Sequence, residues 1–75
     1  MLRENRIKNL LKDTLYPNLI REAVSYAEEC YKDRKRKSGE NYIEHALRVA
    51  QTLKEMGLDS KTIIAGLLHD TIDEL

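Results

Sequence analysis

The sequence predicts an all-α fold, a small helical bundle of about four helices. The chain has 75 residues, with one proline and three glycines, and 41% of the residues are hydrophobic. Apolar residues recur at i, i+3, i+4 and i+7 over most of the chain, which is the spacing of one helical face. The length suffices for one small domain, and the absence of Trp and Phe predicts a mainly aliphatic core.

The first two helices are predicted on either side of Pro17. Apolar spacing favours a first helix over residues 3–15 and a second over residues 17–32. Pro17 can open the second helix because the N–H it lacks has no partner in a first turn. The apolar residues of the two faces are Leu2, Ile7, Leu10, Leu11 and Leu15 in the first helix, and Leu19, Ile20, Ala23, Val24, Ala27, Cys30 and Tyr31 in the second.

The third and fourth helices are predicted from Tyr42 onwards. Gly57 is suited to the left-handed residue that ends the third helix, and Asp59 is a good N-cap for the fourth. The apolar pattern of the fourth helix, Ile63, Ile64, Leu67, Leu68 and Ile72, has no stop signal before Leu75. We therefore expect this helix to run to the last residue and the domain to continue beyond it. Cys30, Met1 and Met56 are expected in the core.

Charge and composition exclude several classes of protein. The formal net charge is zero, although residues 1–40 carry ten basic and seven acidic side chains and residues 41–75 carry three and six. No stretch approaches the about 18 consecutive apolar residues of a membrane span, and the charged N-terminus is unlike a signal peptide. A single cysteine cannot form an internal disulfide. We expect a cytoplasmic protein with no membrane partner and no nucleic-acid partner.

Residues 32–40, here called the basic loop, separate the second and third helices. Five of the first six residues are Lys or Arg, and Ser38-Gly39 favours a turn. Basic side chains, a hydroxyl and a glycine turn together can bind phosphates, and an arginine plane can stack on a nucleobase. The alternative is a solvated run of charges without function.

A polar sector on the fourth helix is a candidate metal site. At about 100° per residue, it contains Gly66, His69, Asp70 and Asp73, with Glu74 at its border. An imidazole and carboxylates so arranged can converge on a divalent cation and its water. His45, at the edge of the third helix's apolar face, can point across a helix interface towards them. Alternatively, these side chains are solvated or structural, and Gly66 allows close helix packing.

The order of three motifs resembles the N-terminal hydrolase domain of the RelA/SpoT family, HD-superfamily proteins that degrade and make the alarmone (p)ppGpp. The motifs are Arg36-Lys37-Ser38-Gly39-Glu40, then Tyr42-Ile43 with His45, then Thr62-Ile63 with Ala65-Gly66-Leu67-Leu68-His69-Asp70. The resemblance covers about residues 17–75. It implies that residues 1–75 are a single HD-type hydrolase domain, truncated at its C-terminal end.

The resemblance also implies roles for individual residues. His45, His69 and Asp70 would be three of four protein ligands to a manganese ion (Mn2+), and the fourth would be an aspartate beyond residue 75. Asp73 and Glu74 would orient or deprotonate the attacking water. Arg36 would pack on guanine, with Lys37 and Ser38 near the ribose or a phosphate.

The implied activity is metal-dependent hydrolysis of the 3′-pyrophosphate of (p)ppGpp, giving GDP or GTP and pyrophosphate in a stringent-response protein. One alternative is an inactive nucleotide-binding or structural remnant within a bifunctional synthetase (GTP pyrophosphokinase). Another is a helical interaction module that binds RNA or an acidic partner through the basic loop. We expect the 75-residue chain alone to be inactive, with partly exposed Leu67, Leu68, Ile72 and Leu75 allowing it to form homo-oligomers.

Overall fold

The computed structural model describes residues 2–71 and confirms the all-α prediction. The helices are α1 (Leu2–Leu11), α2 (Pro17–Tyr31), α3 (Tyr42–Glu55) and α4 (Ser60–Leu68). Within the described residues there is no strand, only an isolated antiparallel bridge between Lys35 and Asn41. None of the helices in this range has the length and apolar character needed to cross a membrane.

The hydrophobic core forms around α3, which packs against each of the other three helices. As predicted, the core is aliphatic, apart from Tyr31. Its buried members are Ile7, Leu10, Ile20, Ala23, Val24, Ala27, Tyr31, Ile43, Ala46, Leu47, Ala50, Ile63 and Leu67. This packing fixes α3 and α4 side by side, and with them the two histidines.

Local signals place most helix ends correctly. Pro17 stands in the first turn of α2, and Gly57 follows α3 with a φ of 81°. The N–H of Gly57 donates to the Lys54 carbonyl at 2.9 Å, and the N–H of Leu58 donates to the Leu53 carbonyl at 3.2 Å. This pair of bonds is the Schellman ending, which requires the left-handed residue that glycine provides.

Asp59 caps α4, as the sequence predicts. Its carboxylate accepts a hydrogen bond from the Thr62 N–H at 2.9 Å, and that bond is the main reason why the pKa of Asp59 is lowered. A carboxyl group with a lowered pKa stabilises the fold above its pKa in the unfolded chain. The contribution disappears as the pH falls through the folded-state pKa.

We expect Asp59→Ala to lower the Tm at pH 7, because the first turn of α4 loses an acceptor for an unpaired N–H. The difference from the wild-type chain should shrink as the pH falls through the folded-state pKa of Asp59. Thermal unfolding followed by circular dichroism between pH 7 and pH 2 measures both effects. Asp59→Asn is the matched control, since it keeps a capping oxygen without a charge. A Tm difference for Asp59→Ala that does not depend on pH would contradict this account.

The first helix is shorter than predicted. α1 ends at Leu11 rather than residue 15, and Asp13 adopts a φ of 60°. Two side chains take the last carbonyls of the helix: Lys54 Nζ donates to Asn9 and Lys12, and Thr14 Oγ1 donates to Leu11 at 2.7 Å. These capping bonds replace a further turn of helix.

Several apolar residues do not lie where periodicity placed them. Leu15 is 75% exposed, Leu19 52% and Met56 67%. The prediction that Met56 belongs to the core is therefore wrong, because it caps the end of α3 at the surface. Cys30 is half-buried against the core, and Met1 lies outside the described residues.

The fourth helix also differs from the prediction. α4 ends at Leu68, and the Thr71 N–H donates to the Leu68 carbonyl at 3.0 Å in a tight turn. The Leu67 carbonyl, which a continuing helix would pair with Thr71, accepts from the Tyr31 hydroxyl at 3.2 Å. Leu67 is fully buried and Leu68 is half-buried, so the expected exposure of Leu67 is wrong. Ile72 and Leu75 lie outside the described residues.

Candidate functional site

The basic loop is closed by hydrogen bonds of its own backbone. The Arg36 N–H donates to the Glu40 carbonyl at 2.9 Å, and the Gly39 N–H donates to the Arg36 carbonyl at 2.8 Å. Gly39 has a φ of 93°, a conformation that favours glycine. The turn leaves the side chains of Arg36, Lys37 and Ser38 exposed, and all three line a cleft of about 500 Å³ beside Tyr42.

Glu40 ties the basic loop to α3. Its carboxylate accepts two hydrogen bonds from the Arg48 guanidinium and lies 3.6 Å from Arg36. The hydrogen bonding to Arg48 is the main reason why the pKa of Glu40 is lowered. Arg48 and Arg36 also line a groove of about 420 Å³ together with His45. No sequence pattern singles out Arg48, because its partner Glu40 lies eight residues earlier, before the start of α3.

His45 is half-buried at the edge of α3, as predicted. Its ring meets the Tyr42 ring edge-on, with 5.4 Å between centroids. Burial lowers the pKa of His45, and the positive charges of Arg36 and Arg48 lower it further, whereas the Glu40 carboxylate acts in the opposite direction. These influences favour the neutral imidazole, the form that binds metals. His45 therefore lies within electrostatic reach of Arg36 in the basic loop and of Arg48 on α3.

His69 and Asp70 form a pair on the turn after α4. His69 Nδ1 lies 2.7 Å from the Gly66 carbonyl, and Nε2 lies 3.0 Å from Asp70 Oδ2. Each ring nitrogen thus faces an oxygen acceptor, which suits either a doubly protonated ring or a cation beside Nε2. A histidine that is fixed through Nδ1 to a carbonyl is a common metal ligand.

The structure does not bring all the predicted metal ligands together. Among residues 2–71, no group of three His, Cys, Asp or Glu side chains is close enough to hold a metal ion. The structure thus pairs His69 with Asp70 and leaves His45 as a neighbour on α3. Asp73 and Glu74 lie outside the described residues.

Gly66 serves helix packing. A Cβ built on Gly66 would lie 2.5 Å from Leu53 Cδ1 and 3.5 Å from Val49 Cγ1. The absence of a side chain therefore allows α4 to approach α3 closely. The structure therefore supports the interpretation that Gly66 allows close helix packing.

Arg34 and two tyrosines join the basic loop to the His69–Asp70 turn, a set of contacts that the sequence analysis did not predict. Arg34 Nη1 donates to the Asp70 carbonyl at 3.3 Å, and the guanidinium carbon lies 4.2 Å from the centroid of the Tyr42 ring. The Tyr31 hydroxyl donates to the Leu67 carbonyl, and burial raises the pKa of this phenol, so it remains a donor. The hydrogen bonds of Arg34 and Tyr31 each join residues that are 36 positions apart. A local sequence pattern does not predict contacts at that separation.

Comparison with known protein families identifies the fold. The HD domain family matches residues 23–75, which is more than half of the chain. The chain belongs to the HD domain family. The all-α HD architecture expected from the sequence is therefore confirmed.

The relatives of this HD domain carry the names that the resemblance implied. The guanosine-3′,5′-bis(diphosphate) 3′-pyrophosphohydrolase of Aquifex aeolicus is 51% identical over 55 residues, covering 73% of this chain and 8% of the relative. The GTP pyrophosphokinase of Streptomyces coelicolor is 47% identical over 55 residues, covering 73% and 6%. The bifunctional (p)ppGpp synthase/hydrolase RelA of Mycobacterium tuberculosis is 38% identical over 64 residues, covering 80% and 9%.

The HD domain spans less than a tenth of the length of these curated relatives. No solved structure gave a significant match. The similarity to RelA/SpoT proteins predicted from the basic loop and the His-Asp pair is confirmed by the names of these relatives.

Proposed function

We propose that this HD domain contributes the N-terminal part of a site that hydrolyses the 3′-pyrophosphate of (p)ppGpp. One observation carries the proposal: Arg36 of the basic loop and His45 on α3 line the same groove, and α4, which ends next to His69, packs against α3. The residues with proposed nucleotide contacts and those proposed to bind a metal are therefore neighbours in space, although residues 36 and 69 are far apart in sequence. The relative named as a 3′-pyrophosphohydrolase supports the same substrate class.

The nucleotide would bind at the basic loop. Arg36 has a planar cation able to stack on guanine, while Lys37 and Ser38 supply a charge and a hydroxyl to the ribose or a phosphate. All three line the cleft beside Tyr42. Glu40 links the loop to Arg48 on α3 and also pairs with Arg36, so the Arg36 side chain is already restrained before a nucleotide binds.

A divalent cation would bind at His45, His69 and Asp70, with Mn2+ as the proposed ion. HD domains generally bind divalent metals, and two imidazoles and a carboxylate form a donor set suited to such a cation. A bound cation would polarise the phosphoryl group and acidify a water molecule. Asp73 and Glu74, outside the described residues, are proposed to orient or deprotonate the attacking water. The products are pyrophosphate and GDP or GTP.

The second candidate function is a nucleotide-binding remnant within a synthetase, because another relative is named a GTP pyrophosphokinase. Pyrophosphate release from (p)ppGpp by the full-length protein distinguishes the two. We expect release with Mn2+, loss with a chelator and recovery when Mn2+ is restored. Tight (p)ppGpp binding without any release would favour the remnant.

We expect Arg36→Ala to raise the KM for (p)ppGpp by about tenfold and to change kcat much less. A base-stacking contact distant from the reacting phosphoryl group contributes to ground-state and transition-state binding alike. Steady-state kinetics on the full-length protein separates the two constants. Lys32→Ala is the matched control, because Lys32 is an exposed cation outside the proposed contacts. A collapse of kcat at unchanged KM would show that Arg36 acts on the transition state.

A further inference from the structure

Side chains from other parts of the chain satisfy two carbonyls, one in the last turn of α4 and one just beyond its end. The Leu67 carbonyl accepts from the Tyr31 hydroxyl at 3.2 Å, and the Asp70 carbonyl accepts from Arg34 Nη1 at 3.3 Å. The last carbonyls of a helix have no partners within the helix, and a cation near them is favourable. The turn that carries His69 and Asp70 is thus fixed from outside α4.

Arg34 is itself held in place on several sides. Its guanidinium carbon lies 4.2 Å from the Tyr42 ring centroid and 5.8 Å from that of Tyr31, and the two rings are 4.8 Å apart. Its backbone N–H donates to the Tyr31 carbonyl, and its carbonyl accepts from the Tyr42 N–H, both at 2.9 Å. A half-buried side chain with these contacts has little conformational freedom. Its hydrogen bond to Asp70 therefore restrains the turn relative to the base of the basic loop.

We propose that Arg34 is a positioning residue that fixes the His69–Asp70 turn to the base of the basic loop and thereby keeps the proposed cation ligands in place. The role in cation binding rests on the proposed function. The fixing of the turn rests on the contacts of Arg34 alone. Two measurements therefore separate the two claims, the first on the full-length protein and the second on the 75-residue chain.

The first measurement is Mn2+ affinity, determined from the electron paramagnetic resonance signal of free Mn2+. We expect Arg34→Gln to weaken binding by about tenfold, as the loss of a residue that orients metal ligands does. Lys32→Gln is the matched control, because it removes the same charge two residues away. The loss of charge alone would change the Mn2+ affinity in the opposite direction, because removing a nearby positive charge should strengthen cation binding. Arg34→Lys keeps the charge but not the stacked plane, and its affinity should lie between those of the wild type and Arg34→Gln.

The second measurement is amide hydrogen exchange in the metal-free chain. Thr71, whose N–H donates to Leu68 within the turn, should exchange about tenfold faster in Arg34→Gln than in Lys32→Gln. The amides of Leu47 and Ala50 in α3 should stay equally protected, which shows that the fold is intact. If the amides of Leu47 and Ala50 also lose protection in Arg34→Gln, Thr71 exchange is compared between Arg34→Lys and Lys32→Gln instead. Faster exchange in Arg34→Lys would then support the inference, and equal exchange would overturn it.

The outcomes separate the inference from the proposed function. Equal Thr71 exchange and equal Mn2+ affinity in Arg34→Gln and Lys32→Gln would overturn the inference and leave the proposed function standing. Absence of Mn2+ binding by the full-length wild-type protein would overturn the metal site and the cation role of Arg34. Faster Thr71 exchange in Arg34→Gln would then still establish that Arg34 fixes the turn.

Discussion

Replacing His69 with Ala is expected to abolish pyrophosphate release by the full-length protein and to weaken Mn2+ binding by more than about a hundredfold. The loss of a residue that only orients a ligand costs 10- to 100-fold, so loss of a proposed ligand should exceed that range. The side chain of His69 is 45% exposed and lies on a turn, so the fold should survive. Retained helicity and near-normal Tm would confirm that the effect is local.

Lys61→Ala is the matched control for His69→Ala, because Lys61 is exposed on α4 and has no role in the proposed site. It should leave pyrophosphate release and Mn2+ affinity unchanged. Normal hydrolysis by His69→Ala at saturating Mn2+ would refute the HD-type mechanism proposed here. Intact (p)ppGpp binding without hydrolysis would agree with separate nucleotide and metal contacts.

Replacing Tyr31 with Ala is expected to lower the free energy of unfolding by about 3 to 5 kcal/mol. Tyr31 has no exposed surface and is among the largest fully buried side chains. Its removal leaves a cavity beside Tyr42 and takes the hydroxyl away from the Leu67 carbonyl. A chain of this length has a total stability of about 4 to 11 kcal/mol, so the loss is a large fraction of it. Urea unfolding followed by circular dichroism measures it.

Tyr31→Phe separates the ring from the hydroxyl. It retains the packing and leaves the Leu67 carbonyl without its side-chain donor, which should cost about 1 to 3 kcal/mol. A stability equal to that of Tyr31→Ala would mean that the hydrogen bond, rather than the packed ring, stabilises this part of the core. Stability equal to that of the wild-type chain would mean that the bond contributes nothing.

The positions of the candidate site residues along the helices and the loop were predictable because they depend on short motifs. The basic loop, His45 and the His69–Asp70 pair were each recognised from neighbouring residues, and the loop and the half-buried His45 lie where expected. Their roles as nucleotide contacts and metal ligands remain proposals. The contacts of Arg34 and Arg48 were not predictable, because a basic residue in a charged stretch has the same local pattern whether or not it meets a distant partner.

The sequence by itself determined the four helices, their order and the start of α2, the end of α3 and the start of α4. Those ends depend on local features, namely the backbone preferences of Pro17 and Gly57 and the side-chain cap of Asp59. Only the tertiary structure decided where α1 and α4 stop. Side chains from other helices take the terminal carbonyls there, as Lys54 and Tyr31 show. Periodicity defines an apolar face but not how far a partner helix covers it, so Leu15 is exposed whereas Leu67 is buried.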